Sequence, residues 1–272
     1  MEMTIIEAAR HRRSVRTFDG KPLKAEEIKK IKDFADSATN PFEIPIEWVM
    51  LDTEEYSLST PVISGEKLYI AGKMKRVKNA EAAFGYTFEK IVLFAETLGI
   101  GTTWIAGTMK REIFEQAINL ADGEVMPCIS PLGRPAAKMS LRETVMRKGV
   151  KADTRLGFEE LFYDSDFDTP LAEEKAGKLK TALELVRLAP SAVNKQPWRI
   201  VIKDGRAHFY EKKNKAHADA DSWDVQKIDI GIALAHFEIG AAHEGITAEF
   251  EISDPGIPAA QGTQYMASFV LK

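Results

Sequence analysis

The chain has 272 residues, and its 37 Lys and Arg against 41 Asp and Glu give a formal net charge of −4. With 44% apolar and 29% charged residues, the composition excludes the disordered, collagen-like and coiled-coil classes, and the length suits roughly two domain-sized units. The mild acidity gives no bulk attraction to nucleic acid or to an anionic membrane. The single cysteine, Cys128, excludes an internal disulfide framework and any multi-cysteine metal site.

The N-terminal residues, MEMTIIEAARHRR, place their charges after a very short apolar stretch, which is the reverse of a signal peptide. The longest apolar runs, such as 91–95, are far below the roughly 20 residues that a membrane helix needs. We therefore expect a soluble, cytoplasmic protein that has no membrane partner.

The predicted elements mix helices and strands along the chain. An amphipathic helix is predicted over 24–37, and helices over 84–98 and 229–243 are apolar on most faces, which is typical of helices buried on both sides. Strands are predicted over 47–52, 67–71, 125–130, 198–203, 207–211, 248–253 and 267–271, with a two-residue hairpin turn at Asp204-Gly205. Because these elements lack a regular βαβ rhythm, the sequence favours the α+β class.

A faint internal repeat relates the two halves of the sequence. In each half a helix, a proline-containing loop, a strand, a buried helix, a glycine and a further strand follow in the same order. The aligned residues are Gly85 with Gly231, Ala95 with Ala241 and Gly99 with Gly245. A duplication would divide the chain into halves 1–160 and 161–272 that pack as one compact unit, and the alternative is two unrelated halves with a similar order of elements.

The first candidate site is a basic segment near the N-terminus, in which Arg12, Ser14 and Arg16 alternate along the chain. Two guanidiniums with a hydroxyl between them suit a phosphate, because each guanidinium can donate a pair of charge-assisted hydrogen bonds. The alternative interpretation is a solvated basic patch after a short helix.

The second candidate site is the loop that follows a helix ending near 189–191. Ser191, Asn194 and Gln196 offer hydroxyl and amide groups there, before Pro197 opens a strand. Such a loop could bind the edge of a flat heterocycle. The alternative is ordinary turn chemistry, in which Asn and Ser bond to their own backbone.

Two glycine-containing segments are weaker signals. The segment 98–107 contains G-x-G, but Trp104 replaces the third glycine of a dinucleotide-binding fingerprint, which argues against a Rossmann site. Its small residues Ala106 and Gly107 would let backbone amides approach a ring closely. A strand exit at 133–142 carries basic residues, for which solvated surface is the alternative interpretation.

No metal site and no side-chain nucleophile are expected. The histidines show no metal-ligand spacing, and the polar stretch with His217, Asp219 and Asp221 lacks the glycine and the distal glutamate of a calcium loop. Cys128 follows Pro127 in a predicted strand, which indicates a core residue rather than a nucleophile.

Taken together, these motifs resemble the nitroreductase family of FMN-dependent oxidoreductases. The residues that carry the resemblance are RRSVRTF at 12–18, LGIGTTWIAG at 98–107, LGRPAAK at 132–138 and APSAVNKQPW at 189–198. The resemblance spans most of the chain, and the motif at 189–198 is specific. It implies a nitroreductase-like fold with two half-domains around buried central helices.

The order of the motifs departs from the usual pattern of that family, whose members carry both the arginine and the Pro-Ser motifs in one half-length subunit and dimerise. Here the first half reads TNPFEIP at 39–45 in place of the Pro-Ser motif, and the second reads FYDSDFDTP at 162–170 in place of the arginines. The chain therefore resembles a fused dimer. That resemblance implies a monomeric pseudo-dimer with one FMN site between its halves and a second, dead site.

The resemblance also implies roles for individual residues. Those implied to hold the phosphate and ribityl end are Arg12, Ser14 and Arg16, with possible help from Lys138 and Arg142. Those implied to contact the isoalloxazine ring are Pro190, Ser191, Asn194 and Gln196, while the backbone of Ala106 and Gly107 lies by the reactive flavin nitrogen. No catalytic side chain is needed, because the cofactor carries the hydride chemistry.

The implied function is an FMN-dependent oxidoreductase that takes hydride from NAD(P)H and passes it to a small organic acceptor such as a nitroaromatic or a quinone. One alternative is a non-catalytic flavin-binding protein for storage or sensing. A second is a different flavin reaction on the same fold, and a third is a degenerate scaffold without a cofactor.

Overall fold

The computed structural model describes residues 3–213, 224–259 and 261–272, so that His217, Asp219 and Asp221 lie outside the described residues. The chain divides into two compact units, one formed by Met1–Ala80 with Thr87–Ala152 and the other by Glu81–Tyr86 with Asp153–Lys272. The second unit begins at Asp153, whereas the repeat predicts a boundary at 160/161, and it also includes Glu81–Tyr86, a six-residue part of one long helix.

The first unit is a helical layer on a small antiparallel sheet. Its helices are α1 (Ile5–His11), α2 (Ala25–Ser37), most of α3 (Ala80–Thr97), α4 (Arg111–Ala117) and α5 (Leu141–Gly149). Its strands are β1 (Glu47–Asp52), β2 (Leu68–Lys75), β3 (Glu124–Val125) and β4 (Ile129–Leu132). Strand β2 pairs antiparallel with each of the other three, and seven of its eight residues are buried, which places the core along it.

The second unit contains a five-stranded sheet of order β5-β6-β7-β9-β8, in which β5 and β6 run parallel and the other neighbouring strands run antiparallel. Its strands are β5 (Phe162–Asp164), β6 (Trp198–Lys203), β7 (Arg206–Lys212), β8 (Ala248–Glu251) and β9 (Thr263–Leu271). Its helices are α6 (Phe158–Leu161), α7 (Lys180–Leu188) and α8 (Val225–His243), with short 3₁₀ turns at Glu173–Lys175, Gly177–Leu179 and Ala192–Asn194. The α+β class predicted from the sequence is confirmed.

A repeated order of elements is present in the structure, with β4 and β9 as its last strands rather than the ones predicted directly after the glycines. A helix, an antiparallel strand pair, a long buried helix and a strand that joins the pair occur as α2-β1-β2-α3-β4 and as α7-β6-β7-α8-β9. The Asp204-Gly205 hairpin turn is also confirmed, since both residues have the positive φ angles, 48° and 69°, of a mirror-image turn.

Two glycines bring the N-terminal turns of α3 against α8. A Cβ atom at Gly85 would overlap the carbonyl oxygen of Ile228, and a Cβ atom at Gly231 would overlap the carbonyl oxygen of Ala82. Each glycine therefore meets the residue three positions before the other glycine, so the crossing is reciprocal. The hydroxyl of Tyr86 donates a hydrogen bond to Glu238 on α8, in addition to this backbone contact. The crossing is the mutual burial that the all-round apolar sequences of these two helices predict.

Two segments differ from their predicted form. The predicted strand 125–130 is divided, because Pro127 has no amide hydrogen to donate to a ladder, and buried Cys128 lies in the gap. The internal repeat also predicts a strand after the glycine that follows α3. In the structure this segment forms isolated bridges, in which Gly101 pairs with Gly133 and Thr102 pairs with Ser14. Among the described residues, no helix is long and apolar enough to cross a bilayer.

Candidate functional site

The arginine segment, residues 12–18, leaves helix α1 in an extended conformation. Its backbone bridges to Thr102 through Ser14 and to Ser64 through Thr17. The amide of Val15 donates to the carbonyl of Thr102 at 2.9 Å. The buried side chains of Val15 and Phe18 anchor the segment in the core of the first unit. Because these residues point inward, the guanidiniums are left at the surface of that core.

Helix α5 packs against the arginine segment through its first turn. Ser140 caps the helix by accepting the amide of Glu143, and its own amide donates to the hydroxyl of Thr17 at 3.1 Å. The carboxylate of Glu143 is completely buried and binds Nη1 of Arg13 at 2.7 Å. The segment and the helix are thus joined by one ion pair and by hydrogen bonds.

Arg16 lies in the middle of a group of charged side chains. Burial lowers the pKa of Arg16, the carboxylate of Glu143 raises it, and the nearby guanidiniums of Arg147 and Arg12 lower it further. No carboxylate in the described part of the chain is within ion-pair distance of Arg16. Half-buried Glu96 belongs to the same group, since burial raises its pKa whereas Arg12 and neighbouring basic residues lower it.

The arginine cluster, which we define as Arg12, Arg13, Arg16 and Arg147, fits a phosphate. The carboxylate of Glu143 pairs with Arg13, and no described carboxylate lies within ion-pair distance of Arg12 or Arg16. Nε of Arg12 is buried and has no hydrogen-bond partner among the described residues. A buried donor without a partner is costly, and a phosphate monoester supplies acceptor oxygens and negative charge that match the guanidinium donors.

Lys138 and Arg142, the two basic residues predicted to assist in binding the phosphate, are not part of the arginine cluster. Lys138 is exposed and has no ion-pair partner in the described residues, and Arg142 donates to the carbonyl of Pro61. The structure instead brings Arg147 to the segment. Motif alignment missed Glu143 and Arg147, although a Ser-x-x-Glu start of a helix followed by Arg four residues later places these two side chains on one face.

The backbone of Ala106, in the same unit, is held by a hydrogen bond from a side chain. The guanidinium of Arg111 donates to the carbonyl oxygens of Ala106, at 2.8 Å, Met126 and Pro127. Gly107 is exposed, and a Cβ there would meet no atom within 4 Å. It also lines a cavity of about 420 Å³ with Ser59–Pro61 and residues 108–110. The backbone of Gly107 is therefore accessible from this cavity.

The Pro-Ser loop, residues 189–198 in the second unit, has an unusual backbone. Val193, Asn194 and Gln196 have positive φ angles of 43°, 58° and 49°. Such angles are rare for residues other than glycine and cost on the order of 1–3 kcal/mol each, with a β-branched valine the most strained. Surrounding groups must therefore hold the loop in this form.

The polar side chains of the loop supply part of that support. The hydroxyl of Ser191 accepts the amide of Gln196 at 2.9 Å, and the buried amide oxygen of Gln196 accepts the amide of Leu156 at 3.0 Å. Nδ2 of Asn194 donates to the carbonyl of Thr154 at 3.0 Å. In this structure Ser191 makes the local turn bond of the alternative interpretation, whereas Asn194 and Gln196 tie the loop to residues 154–156.

Two residues that the sequence analysis did not identify complete the support of the loop. Both oxygens of Asp229, at 3.0 and 3.2 Å, accept the amide of Ala192. Burial raises the pKa of Asp229 well above its ordinary value, whereas this amide lowers it. Arg155 donates to the carbonyl of Leu188 at 3.0 Å. An aspartate that opens the apolar stretch of α8 was a possible signal for Asp229, whereas nothing local distinguished Arg155.

Comparison with known proteins identifies relatives of this chain. A family model described as "Putative TM nitroreductase" matches residues 4–241. The crystal structure of a "putative nitroreductase" from Thermotoga maritima covers 100% of this chain and 95% of its own, with 21% identity and a TM-score of 0.64, and it has the same fold. The nitroreductase-like fold implied by the motifs is thereby confirmed.

Other solved structures match about half of the chain. A nitroreductase family protein from Clostridium novyi covers 50% of this chain and 87% of its own, with 20% identity and a TM-score of 0.43. An FMN-dependent nitroreductase from Clostridium difficile covers 52% and 94%, with 16% identity and a TM-score of 0.42. No curated protein matches the chain. Because the family model spans well over half of the sequence, this protein belongs to the nitroreductase family that the model describes.

Proposed function

We propose that this protein binds one FMN and acts as an NAD(P)H-dependent oxidoreductase that reduces a small organic acceptor, such as a nitroaromatic or a quinone. The observation that carries the proposal is the arginine cluster, in which the buried Nε of Arg12 has no described partner and Arg16 has no described carboxylate within ion-pair distance, so that both suit the phosphate of FMN. Membership of the nitroreductase family supports a flavin rather than another phosphorylated ligand.

In this proposal the residues of the chain bind and orient the cofactor. Arg12, Ser14 and Arg16 hold the phosphate and ribityl end. The Pro-Ser loop, with Pro190, Ser191, Asn194 and Gln196, contacts the ring, as does the backbone of Ala106 and Gly107. The bound flavin supplies the hydride transfer, so no side chain needs to act as an acid or a base.

The two motifs occur once each in the chain, which supports a single site. Acidic residues at 162–170 replace the arginines in the second half, and residues 39–45 have no Asn or Gln at the positions that match Asn194 and Gln196. One functional FMN site and one dead site therefore belong to the proposal, together with a monomeric pseudo-dimer.

The test begins with the absorbance of the purified protein. We expect flavin bands that bleach on anaerobic addition of NADH or NADPH and return when a nitroaromatic or a quinone is added. Bands that resist both nicotinamide cofactors would indicate a flavin-binding protein without turnover. A colourless protein that does not take up added FMN would contradict the proposal.

A further inference from the structure

Glu143 is a buried carboxylate that the motif resemblance does not account for. One of its oxygens binds Arg13 at 2.7 Å, and the other is buried without a hydrogen-bond partner among the described residues. Burial of a charged group with so few bonds costs free energy. This cost is offset by the positive charges around Glu143, because its carboxylate favours the charged form of Arg16.

The position of Glu143 is fixed by its helix. It occupies the third residue of α5, whose first turn is capped by Ser140, and Ser140 and Thr17 are joined by hydrogen bonds. The next residue toward the N-terminus, Arg142, donates to the carbonyl of Pro61. The carboxylate is therefore held in place by protein groups before any ligand binds.

The arginine cluster needs an internal negative charge in order to stay together. The guanidiniums of Arg147 and Arg12 both disfavour the charged form of Arg16, which shows that the three lie close enough to repel. Repulsion between unit charges a few ångströms apart is on the order of several kcal/mol when the site is partly buried. Glu96 is the second carboxylate of the group, but burial disfavours its charged form.

We propose that Glu143 is the positioning residue of this anion site. It fixes Arg13 to α5, and its charge keeps Arg12, Arg16 and Arg147 close enough to bind one phosphate dianion together. The inference rests on the proposed function, because it takes the phosphate of FMN as that anion.

The test compares Glu143→Gln with the wild-type protein, using FMN and riboflavin as probes. Glutamine keeps the size of the side chain and removes its charge. Riboflavin has the same ring as FMN and lacks the phosphate. We expect the variant to bind FMN about tenfold more weakly and riboflavin as before, so that the ratio of the two affinities falls about tenfold. The ratio comes from one preparation, and a partly misfolded sample leaves it unchanged.

Two further variants complete the design. Glu112→Gln removes an exposed charge in the same unit and should leave the ratio at its wild-type value. Arg13→Gln should lower the ratio, and the double variant Arg13→Gln/Glu143→Gln should lower it no further than Glu143→Gln does, because the two residues act as one pair. Losses that add would show that the pair does not act as a unit and would overturn the proposal.

The outcomes separate this inference from the proposed function. A wild-type protein that binds FMN no better than riboflavin would remove the phosphate site, and both proposals with it. A wild-type preference for FMN that Glu143→Gln retains or increases would leave the flavin site standing. It would overturn only the positioning role, since Glu143 would then merely oppose the anion.

Discussion

At the residue scale, the arginine segment divides its side chains between the protein and a ligand. Val15 and Phe18 are buried in the core of the first unit, and Arg13 is paired with Glu143. Arg16 has no carboxylate within ion-pair distance in the described part of the chain. Its charge is therefore available to an anion.

This division predicts unequal effects for two neighbouring arginines. Arg16→Ala should weaken FMN binding about ten- to a hundredfold, because a charge-assisted contact is worth roughly 1.5–3 kcal/mol. Arg13→Ala should have a smaller effect, since that guanidinium is already bonded to Glu143. Fluorescence titration of the flavin-free protein with FMN measures both. Equal losses would mean that the two side chains share the ligand.

At this scale the sequence indicated candidate ligand-binding residues more readily than the residues that support them. Arg12, Ser14 and Arg16 follow one another in the chain, so their alternation is visible without a structure. Glu143 and Asp229 act on residues far away in sequence, and no local pattern shows which distant loop a buried carboxylate will contact. Ser191, Asn194 and Gln196 were identified as polar loop residues. The sequence could not show that Asn194 and Gln196 form hydrogen bonds with the backbone of residues 154–156.

Glu211 on β7 gives a prediction about pH. Its side chain is buried with both oxygens unpaired among the described residues, and burial, with help from the Asp224 carboxylate, raises its pKa to about 7 from an ordinary value of 4.5. Between these two pH values the folded protein keeps a proton that the unfolded chain has lost. The free energy of unfolding should therefore fall as pH rises through this range, by up to about 3 kcal/mol.

Urea unfolding between pH 5 and 8 checks this prediction. Glu211→Gln should flatten the fall in stability, because the amide does not titrate. The exposed Glu159→Gln serves as the matched control and should keep the wild-type slope. A Glu211→Gln profile parallel to the wild type would assign the slope to other groups, of which buried Asp229 is the first candidate.

At the scale of elements, α3 and α8 are held by a close backbone crossing. Gly85 and Gly231 lie where a side chain would overlap a carbonyl of the other helix. The sequence predicted that both helices are buried, because apolar residues surround them. It did not predict that the glycines meet the opposite backbone, since aligned glycines alone do not distinguish a contact from a repeated turn.

Gly231→Ala should destabilise the protein by at least about 1–3 kcal/mol, because the helices must move apart to admit the methyl group. Gly149→Ala is the matched control. It also lies in a helix, but its Cβ would meet no atom within 4 Å, so its effect should be small or slightly stabilising. Thermal unfolding of both variants measures the difference. Similar melting temperatures would contradict the tight crossing.

The boundaries of elements were predictable where turn residues bracket an apolar run. Strands 47–52 and 198–203 begin and end as predicted, the second because Pro197 precedes it and Asp204-Gly205 follows. Predicted strand 125–130 failed at Pro127, where the apolar pattern continues although a ladder hydrogen bond is lost. An apolar pattern in the sequence indicates which residues are buried, but it does not show which residues form hydrogen bonds between strands.

At the scale of the whole molecule, the recurring order of helix, strand pair and buried helix leads to a prediction about stoichiometry. Arginines occur in the expected segment of the first half only, and the complete Pro-Ser motif occurs in the second half only. We expect one FMN for each 30.3 kDa chain. Extracted flavin divided by protein concentration measures this ratio, and a value near two would show that the second site is functional.

The same arrangement predicts a monomer. The N-terminal turns of α3 pack against α8 within the chain, so these turns do not require a second copy. Sedimentation at low micromolar concentration should give a single species near 30.3 kDa that keeps its flavin. A stable species of about twice that mass that loses flavin on dilution would show that a second chain completes the site.

The reciprocal crossing of Gly85 and Gly231 also bears on how such a sequence evolves. When two identical subunits form a symmetric contact, every mutation appears twice, and damage to one site damages the other. After the gene for such a subunit is duplicated and joined to its copy, each position mutates alone. One half can then drift at its arginines and the other at its loop, while natural selection preserves the contact that both inherited.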